Sequence, residues 1–169
     1  MGYPTLTESQ AAHLALVERS IDGSMRYAPC QVTLKSGEVV DRVYVVDAPT
    51  YMAYWGIDPN GDRAKRAISI EDVARIVSSP VRLPAHLASL IYAEGESGMG
   101  YTIFTVVSRD GGQLPYVGGN AIDFPLWPTG FDPADVVGVR PHVGREAFRD
   151  RRVRETERVA PYFWCLYSV

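Results

Sequence analysis

The sequence predicts an α+β protein, mostly antiparallel β, with two tandem small β units, an N-terminal helix and a connecting helix. Short segments rich in β-branched and aromatic residues recur between turn residues, as in strands. The 12 prolines, 15 glycines and 10 tyrosines favour strands and turns over a helical bundle. With 169 residues, the chain is long enough for one domain with a real core or for two very small fused subdomains.

Composition and charge exclude some classes of protein. Apolar residues make up 46% and charged residues 22%, which is ordinary for a soluble globular protein. A net charge of −3 does not give the broad basic surface expected of a nucleic-acid binder. No signal-peptide pattern and no bilayer-length apolar run is present, so we expect a cytoplasmic protein. Cys30 and Cys165 are then reduced thiols, and a disulfide between them is the alternative in an oxidising compartment.

Residues 1–24 predict the N-terminal helix. Thr7 and Gln10 have the spacing of a capping box, and apolar residues follow at helical intervals. Gly23 can end the helix, so its expected span is about residues 8–21.

Residues 25–82 predict the first β unit. Alternating polar and apolar residues predict a hairpin over 31–46, with its turn at Gly37. Residues 47–65 predict a long aromatic loop, and such loops are often functional. Residues 67–77 predict a short strand, a turn and a second strand.

Residues 83–99 predict the connecting helix and a glycine-rich loop that carries Glu94 and Glu96. Pro84 suits the first turn of a helix. The loop differs from a phosphate loop because a helix leads into it and a strand leaves it, and because its carboxylates would repel phosphate. We interpret it as a helix C-cap with flexible glycines.

Residues 100–144 predict the second β unit. The segment 101–107 has apolar side chains on both faces, which predicts a central strand covered on each side. An Asp-Gly-Gly turn follows it. The return strand, 113–117, contains Pro115, which cannot donate to a ladder and therefore predicts an edge or a bulge. Residues 121–124 predict a short third strand.

Residues 145–169 predict a charged helix and a docked strand. Acidic and basic residues are interspersed over 145–158, which favours a solvated helix or a partly disordered strap, with contact to nucleic acid or an acidic partner as the alternative. The aromatic run 162–167 would not be left in water, so we expect it to dock as a last strand.

The two β units show a similar order of features, which favours an internal duplication. Each has a hairpin, then a tryptophan (Trp55 or Trp127), an Asp-Pro pair and an Asp-Val pair. Shared strand-and-turn composition is the alternative explanation. In the first unit the hairpin is followed by the pattern I-x-x-E-D-V-x-x-I, which resembles small SH3-like or Sm-like barrels; a likeness of pattern carries no function.

No catalytic, metal or cofactor motif is present, so we predict no catalytic residue and no metal. No serine lies in a G-x-S-x-G context, and His13 and His142 are isolated. Four side chains would have to converge for an acid/base or metal site, without any recognised ligand spacing. They are His86, Glu94, Glu96 and Asp123.

The aromatic and acidic loops predict a surface for a protein partner, because Trp and Tyr dominate interface hot spots. Its residues are Tyr51, Tyr54, Trp55, Glu94, Glu96 and Trp127. The alternative is that the rings fold inward and plug the ends of the barrels.

The favoured hypothesis is a non-enzymatic protein-binding module. Its narrower form is a small cytoplasmic bacterial immunity protein that neutralises a toxin by direct binding, since acidic surfaces complement basic nuclease toxins. Two alternatives stay open: a small barrel that binds nucleic acid, and an enzyme with carboxylates near Glu94, Glu96 and Asp123.

Overall fold

A computed structural model describes residues 2–56, 66–142 and 157–169. It divides into two compact units: unit 1 is Met1–Pro80 with Pro161–Val169, and unit 2 is Val81–Ala160. The described residues form three α-helices and mostly antiparallel sheets, which confirms the predicted α+β class. The predicted loop residues 57–65, and residues 145–156 of the predicted charged helix, lie outside the described residues. The last two residues of that predicted helix, Glu157 and Arg158, form a strand, so the helix prediction is wrong there.

Unit 1 contains two helices and a four-stranded sheet, with a small separate hairpin. Its elements are α1 (Glu8–Ala15), β1 (Ser20–Asp22), β2 (Met25–Tyr27), β3 (Pro29–Leu34), β4 (Val39–Asp47), α2 (Ala48–Trp55), β5 (Val73–Ser78) and β10 (Phe163–Tyr167). The strand order is β10-β4-β3-β5, antiparallel except that β10 runs parallel to β4. The aromatic run 162–167 therefore does dock as a strand, as predicted.

The N-terminal helix has the predicted capping box but is shorter than predicted. Gln10 accepts from Thr7 N through Oε1 at 2.9 Å, and Thr7 Oγ1 accepts from Gln10 N at 3.2 Å. The Gln10 amide also donates to the carbonyls of Ile70 and Val73, which ties α1 to β5. The helix ends at Ala15 because residues 20–22 pair with β2 instead of continuing it.

The predicted long loop begins with a helix, so the prediction of irregular structure over residues 47–56 is wrong. Asp47 is the N-cap of α2, where its Oδ2 accepts from Thr50 N at 2.9 Å. Pro49 lies in the first turn, and Gly56 ends the helix with φ 66°. These are ordinary start and stop signals.

Unit 2 has one helix and a second four-stranded sheet. Its elements are α3 (Ala85–Glu94), β6 (Thr102–Ser108), β7 (Gln113–Gly118), β8 (Val136–Pro141) and β9 (Glu157–Arg158). The order β8-β6-β7-β9 puts β6 between two partners, as predicted for a central strand. β7 lies between β6 and β9, and its ladder with β6 has no register shift, so the described residues do not show the edge or the bulge that Pro115 predicts. The third strand is β8; residues 121–124 are buried without being a strand.

The two sheets have the same order of strands, and the pairing of the first hairpin strand with the third strand has the same register in both. The hairpins differ, because the hairpin of unit 1 has a register shift between Cys30 and Val32 that the hairpin of unit 2 lacks. In each unit, the register between the first hairpin strand and the third strand shifts by one residue just before their last pair. That pair is Leu34 with Val73 in unit 1 and Ser108 with Val136 in unit 2. A short 3-10 turn precedes the third strand in each unit, Ile70–Asp72 and Pro133–Asp135. Each strand order is open, and no barrel closure is seen among the described residues.

Candidate functional site

The predicted aromatic surface of unit 1 is mostly packed inside the unit. Tyr51 is fully buried, and its ring meets the ring of Trp164 edge-on at 5.0 Å. Tyr54 and Trp55 are half-buried at the end of α2, with ring centroids 4.9 Å apart. For Tyr51 this matches the alternative of rings that fold inward, whereas Tyr54 and Trp55 keep part of their surface in solvent.

Trp127 of unit 2 is half-buried and fixed by its neighbours. Its Nε1 donates to the carbonyl of Val81 at 2.8 Å, and its ring stacks on Phe131 at 5.0 Å. The ring of Tyr116 meets Trp127 edge-on at 5.8 Å. A partner could therefore touch only the remaining open part of the indole.

The acidic loop is exposed and held in a defined turn. Glu94 ends α3, and Glu96 accepts from the amide of Gly100 through Oε2 at 3.0 Å. The Ser97 hydroxyl accepts from Ile103 N at 2.8 Å and donates to the carbonyl of His142 at 2.7 Å. The glycine-rich loop is thus anchored to β6, which the sequence reading of flexible glycines did not foresee.

Two exposed apolar side chains lie in the same stretch of chain. Leu90, one helical turn before Glu94, is 55% exposed, and Met99, in the turn, is 96% exposed. Residues four apart share a face of a helix, so His86, Leu90 and Glu94 form one exposed stripe of α3. We call this stripe, together with Glu96 and Met99, the α3 surface. The sequence pattern does not indicate this exposure, because Leu90 lies at helical spacing from Leu87 and is therefore expected on the apolar face of the helix.

Asp123 does not lie on that surface. Its side chain is fully buried, whereas His86, Glu94 and Glu96 are exposed. Tyr92 donates its hydroxyl to Asp123 Oδ2 at 2.6 Å, and Arg82 Nη2 lies 4.0 Å from Oδ1. The structure therefore does not bring the four residues of the acid/base alternative onto one surface; Asp123 belongs to a buried polar network.

Neither cysteine forms a disulfide, and both are buried in the core of unit 1. Burial, and then the neighbouring Cys30, raise the pKa of the Cys165 thiol to about 12. The thiolate is the reactive form of cysteine, so Cys165 is protected from reaction while unit 1 is folded.

Each unit has a shallow cavity where its hairpin turn meets its 3-10 turn. The cavity of unit 1 measures about 590 Å³ and is lined by Gln10, Lys35 and Glu71 among others. The cavity of unit 2 measures about 340 Å³, beside Arg109, Asp110 and Phe131. Hydrogen bonds from the Ser108 hydroxyl and the Gly112 amide lower the pKa of Asp110.

Within the described residues, no group of three or more His, Cys, Asp or Glu side chains could hold a metal ion. No helix in residues 2–56, 66–142 or 157–169 is long and apolar enough to cross a membrane. In comparisons with protein-family models, curated proteins and solved structures, the chain matched none of them.

Proposed function

We propose that the protein is a non-enzymatic protein-binding module that works through the α3 surface. The observation that carries this proposal is the exposure of Leu90 and Met99 beside the carboxylates Glu94 and Glu96. Protein interfaces combine an apolar centre with a polar rim, and the α3 surface has both parts. The anchored turn also holds Met99 in place before binding, which reduces the ordering cost of association.

The charge of this surface indicates the partner. Two carboxylates on a chain of net charge −3 favour a basic partner, because complementary charge speeds association and helps to select the partner. A cytoplasmic bacterial immunity protein that covers a basic toxin fits this description. Tyr54, Trp55 and Trp127 add less in this proposal, since their rings are already half-buried.

The test uses chemical crosslinking and affinity capture of the tagged full chain in its native cell, at moderate salt. We expect one stoichiometric basic protein, with crosslinks at the α3 surface. Leu90→Arg and the Glu94→Lys, Glu96→Lys pair should each weaken its binding at least about tenfold, the loss typical of hot-spot residues. Val137, which is 56% exposed on β8 of the same unit, provides the matched control Val137→Ser.

Equal capture by the wild type and all variants would contradict the proposed surface. Recovery of nucleic acid that is lost as salt is raised would instead favour the nucleic-acid alternative.

We also propose that the two units are copies of one ancestral unit, helix–hairpin–3-10 turn–strand. The shared register supports this, as do matching backbone bonds at the turns: Lys35 N donates to the Asp72 carbonyl and Arg109 N to the Asp135 carbonyl, both at 2.8 Å. The likeness to SH3-like or Sm-like barrels concerns only the three antiparallel strands of each unit.

A further inference from the structure

The closing strand β10 follows unit 2 in sequence but belongs to unit 1. It pairs with β4 from Phe163, opposite Val43, to Tyr167, opposite Asp47. Its other edge carries isolated bridges, Trp164 with Ala67 and Ser168 with Thr5. The closing strand is therefore paired along both edges.

Side chains of the closing strand fill the interior of unit 1. The Trp164 indole is nearly buried, and its ring centroid lies 6.2 Å from that of Tyr27, 5.1 Å from Tyr44 and 5.0 Å from Tyr51. Cys165 joins the core cluster that contains Cys30. Without this strand, an apolar face that includes three fully buried tyrosine rings would be open to water, and each aromatic ring buries roughly 150–250 Å² in a folded core.

Unit 2 needs no such contribution, because all its strands come from Val81–Ala160. Its fold also brings the two ends of that segment together. Leu83 N donates to the carbonyl of Asp123, and Ala160 N donates to the carbonyl of the next residue, Phe124, both at 2.8 Å. In a folded unit 2, the residues near its start and at its end are therefore hydrogen-bonded to two neighbouring residues, Asp123 and Phe124 respectively.

The folding of unit 2 lowers the entropy cost of pairing β10 with β4 in unit 1. About 120 residues separate Val43 from Phe163, and ordering so long a loop must precede the gain from pairing. Once unit 2 is folded, most of that loop is already ordered and its ends are close. We propose that unit 2 folds first and that unit 1 completes its sheet afterwards, when the closing strand pairs with β4. The inference does not depend on the proposed function.

The first test follows refolding of the full chain from denaturant by pulsed hydrogen exchange. Amides of β6 should become protected at least about tenfold earlier than amides of β3, in keeping with unit-by-unit folding. The two cysteines of the chain both lie in unit 1, so their reactivity toward a thiol reagent should fall with the β3 phase. Simultaneous protection of β3 and β6, or earlier protection of β3, would overturn the proposal.

The second test uses two substitutions in the folded protein. Trp164→Ala should raise the reactivity of Cys30, which lies on a different strand, about 100-fold or more, the effect of truncating a buried aromatic side chain. It should accelerate β6 exchange by a similar factor, because unit 2 can open only after unit 1 has opened. Phe104→Leu, which loosens a ring stacked on Tyr116 in unit 2, should accelerate β6 exchange by about tenfold. It should leave Cys30 labelling within about twofold, because unit 2 stays folded in the state in which only unit 1 is open.

This asymmetry distinguishes the proposal from its rivals. If Phe104→Leu accelerated Cys30 labelling as much as β6 exchange, the two units would be one cooperative structure. If Trp164→Ala left β6 exchange unchanged, the units would be independent. Either result would overturn the proposed order.

Discussion

The two units share the order of three antiparallel strands, with a register shift within the hairpin in unit 1 only, but differ in how far their fourth strand extends. Within the part of the chain that the structure describes, β10 pairs with five residues of β4, whereas β9 pairs with two residues of β7 and ends before Gly118. The registers align Val45 of β4 with Gly118 of β7. A Cβ at Gly118 would lie 2.8 Å from Cγ2 of both Ile122 and Val159. The side chains of Ile122 and Val159 occupy the space beside Gly118, and the ladder between β7 and β9 ends at Val117, one residue before it. Local packing therefore explains the shorter ladder of unit 2 better than the shared hairpin does.

The same position in the fourth strand also has different chemistry. Trp164 opposite Tyr44 is nearly buried, and Arg158 opposite Val117 is exposed. Unit 2 lacks the aromatic contribution at this point and has a buried polar network around Asp123 elsewhere. A shared framework therefore tolerates two different kinds of core.

The largest expected effect tests that difference in cores. Asp123→Ala should lower the free energy of unfolding of unit 2 by about 3–5 kcal/mol, because it leaves the Arg82 charge buried without its carboxylate. Hydrogen exchange of β6 measures the loss. Asp135→Ala, which removes the exposed partner of Arg109, is the control and should cost less than about 1 kcal/mol. Equal losses would show that the buried network does not stabilise unit 2.

A smaller effect is expected from filling the space at the end of β7. Gly118→Ala should destabilise the protein by about 1–3 kcal/mol, since the new methyl must displace Ile122 and Val159. Gly119→Ala is the matched control, because the nearest atom to its Cβ lies 4.0 Å away. Urea unfolding compares the two variants. Similar midpoints would remove the packing explanation for the short β9.

The smallest effect should come from exchanging the hairpin turns. Replacing residues 35–38 by the sequence of 109–112 should change the free energy of unfolding by less than about 0.5 kcal/mol, the scale of neutral surface changes. Both turns place a glycine at positive φ, 91° at Gly37 and 85° at Gly111, and each glycine amide donates at 2.9 Å to an equivalent carbonyl.

Gly37→Val is the control for the exchanged turn, because a β-branched residue at that φ costs about 1–3 kcal/mol. Thermal unfolding compares the variants. An exchanged turn as costly as Gly37→Val would mean that the two hairpins are not equivalent.

Much of the local structure could be predicted from the sequence, because alternation and turn chemistry act over a few residues. The central β6 and the capping box at Thr7 follow from such local rules. The helix α2 is not among these predictions although its start and stop signals, Asp47 and Gly56, are present, because the aromatic content of the segment predicts a functional loop instead.

Long-range features could not be predicted in the same way. The parallel pairing of β10 with β4 joins distant segments that carry no shared local signal. The burial of Asp123 and Tyr51, and the exposure of Leu90, depend on which elements pack together. The sequence predicts the exposed acidic loop because charged side chains usually stay in solvent whatever the tertiary structure. It does not predict the exposure of the apolar neighbours Leu90 and Met99, which depends on how the elements pack.

The bridge between Thr5 and Ser168, with the Ser168 amide donating to the carbonyl of Pro4 at 2.9 Å, places two distant parts of the chain side by side. A short linker from residue 169 to residue 2, with new ends between residues 80 and 81, would give a circular permutant. In that permutant unit 2 comes first and unit 1 becomes one continuous segment. The discontinuity of unit 1 is thus a matter of chain connectivity, which can be changed without altering any contact within either unit.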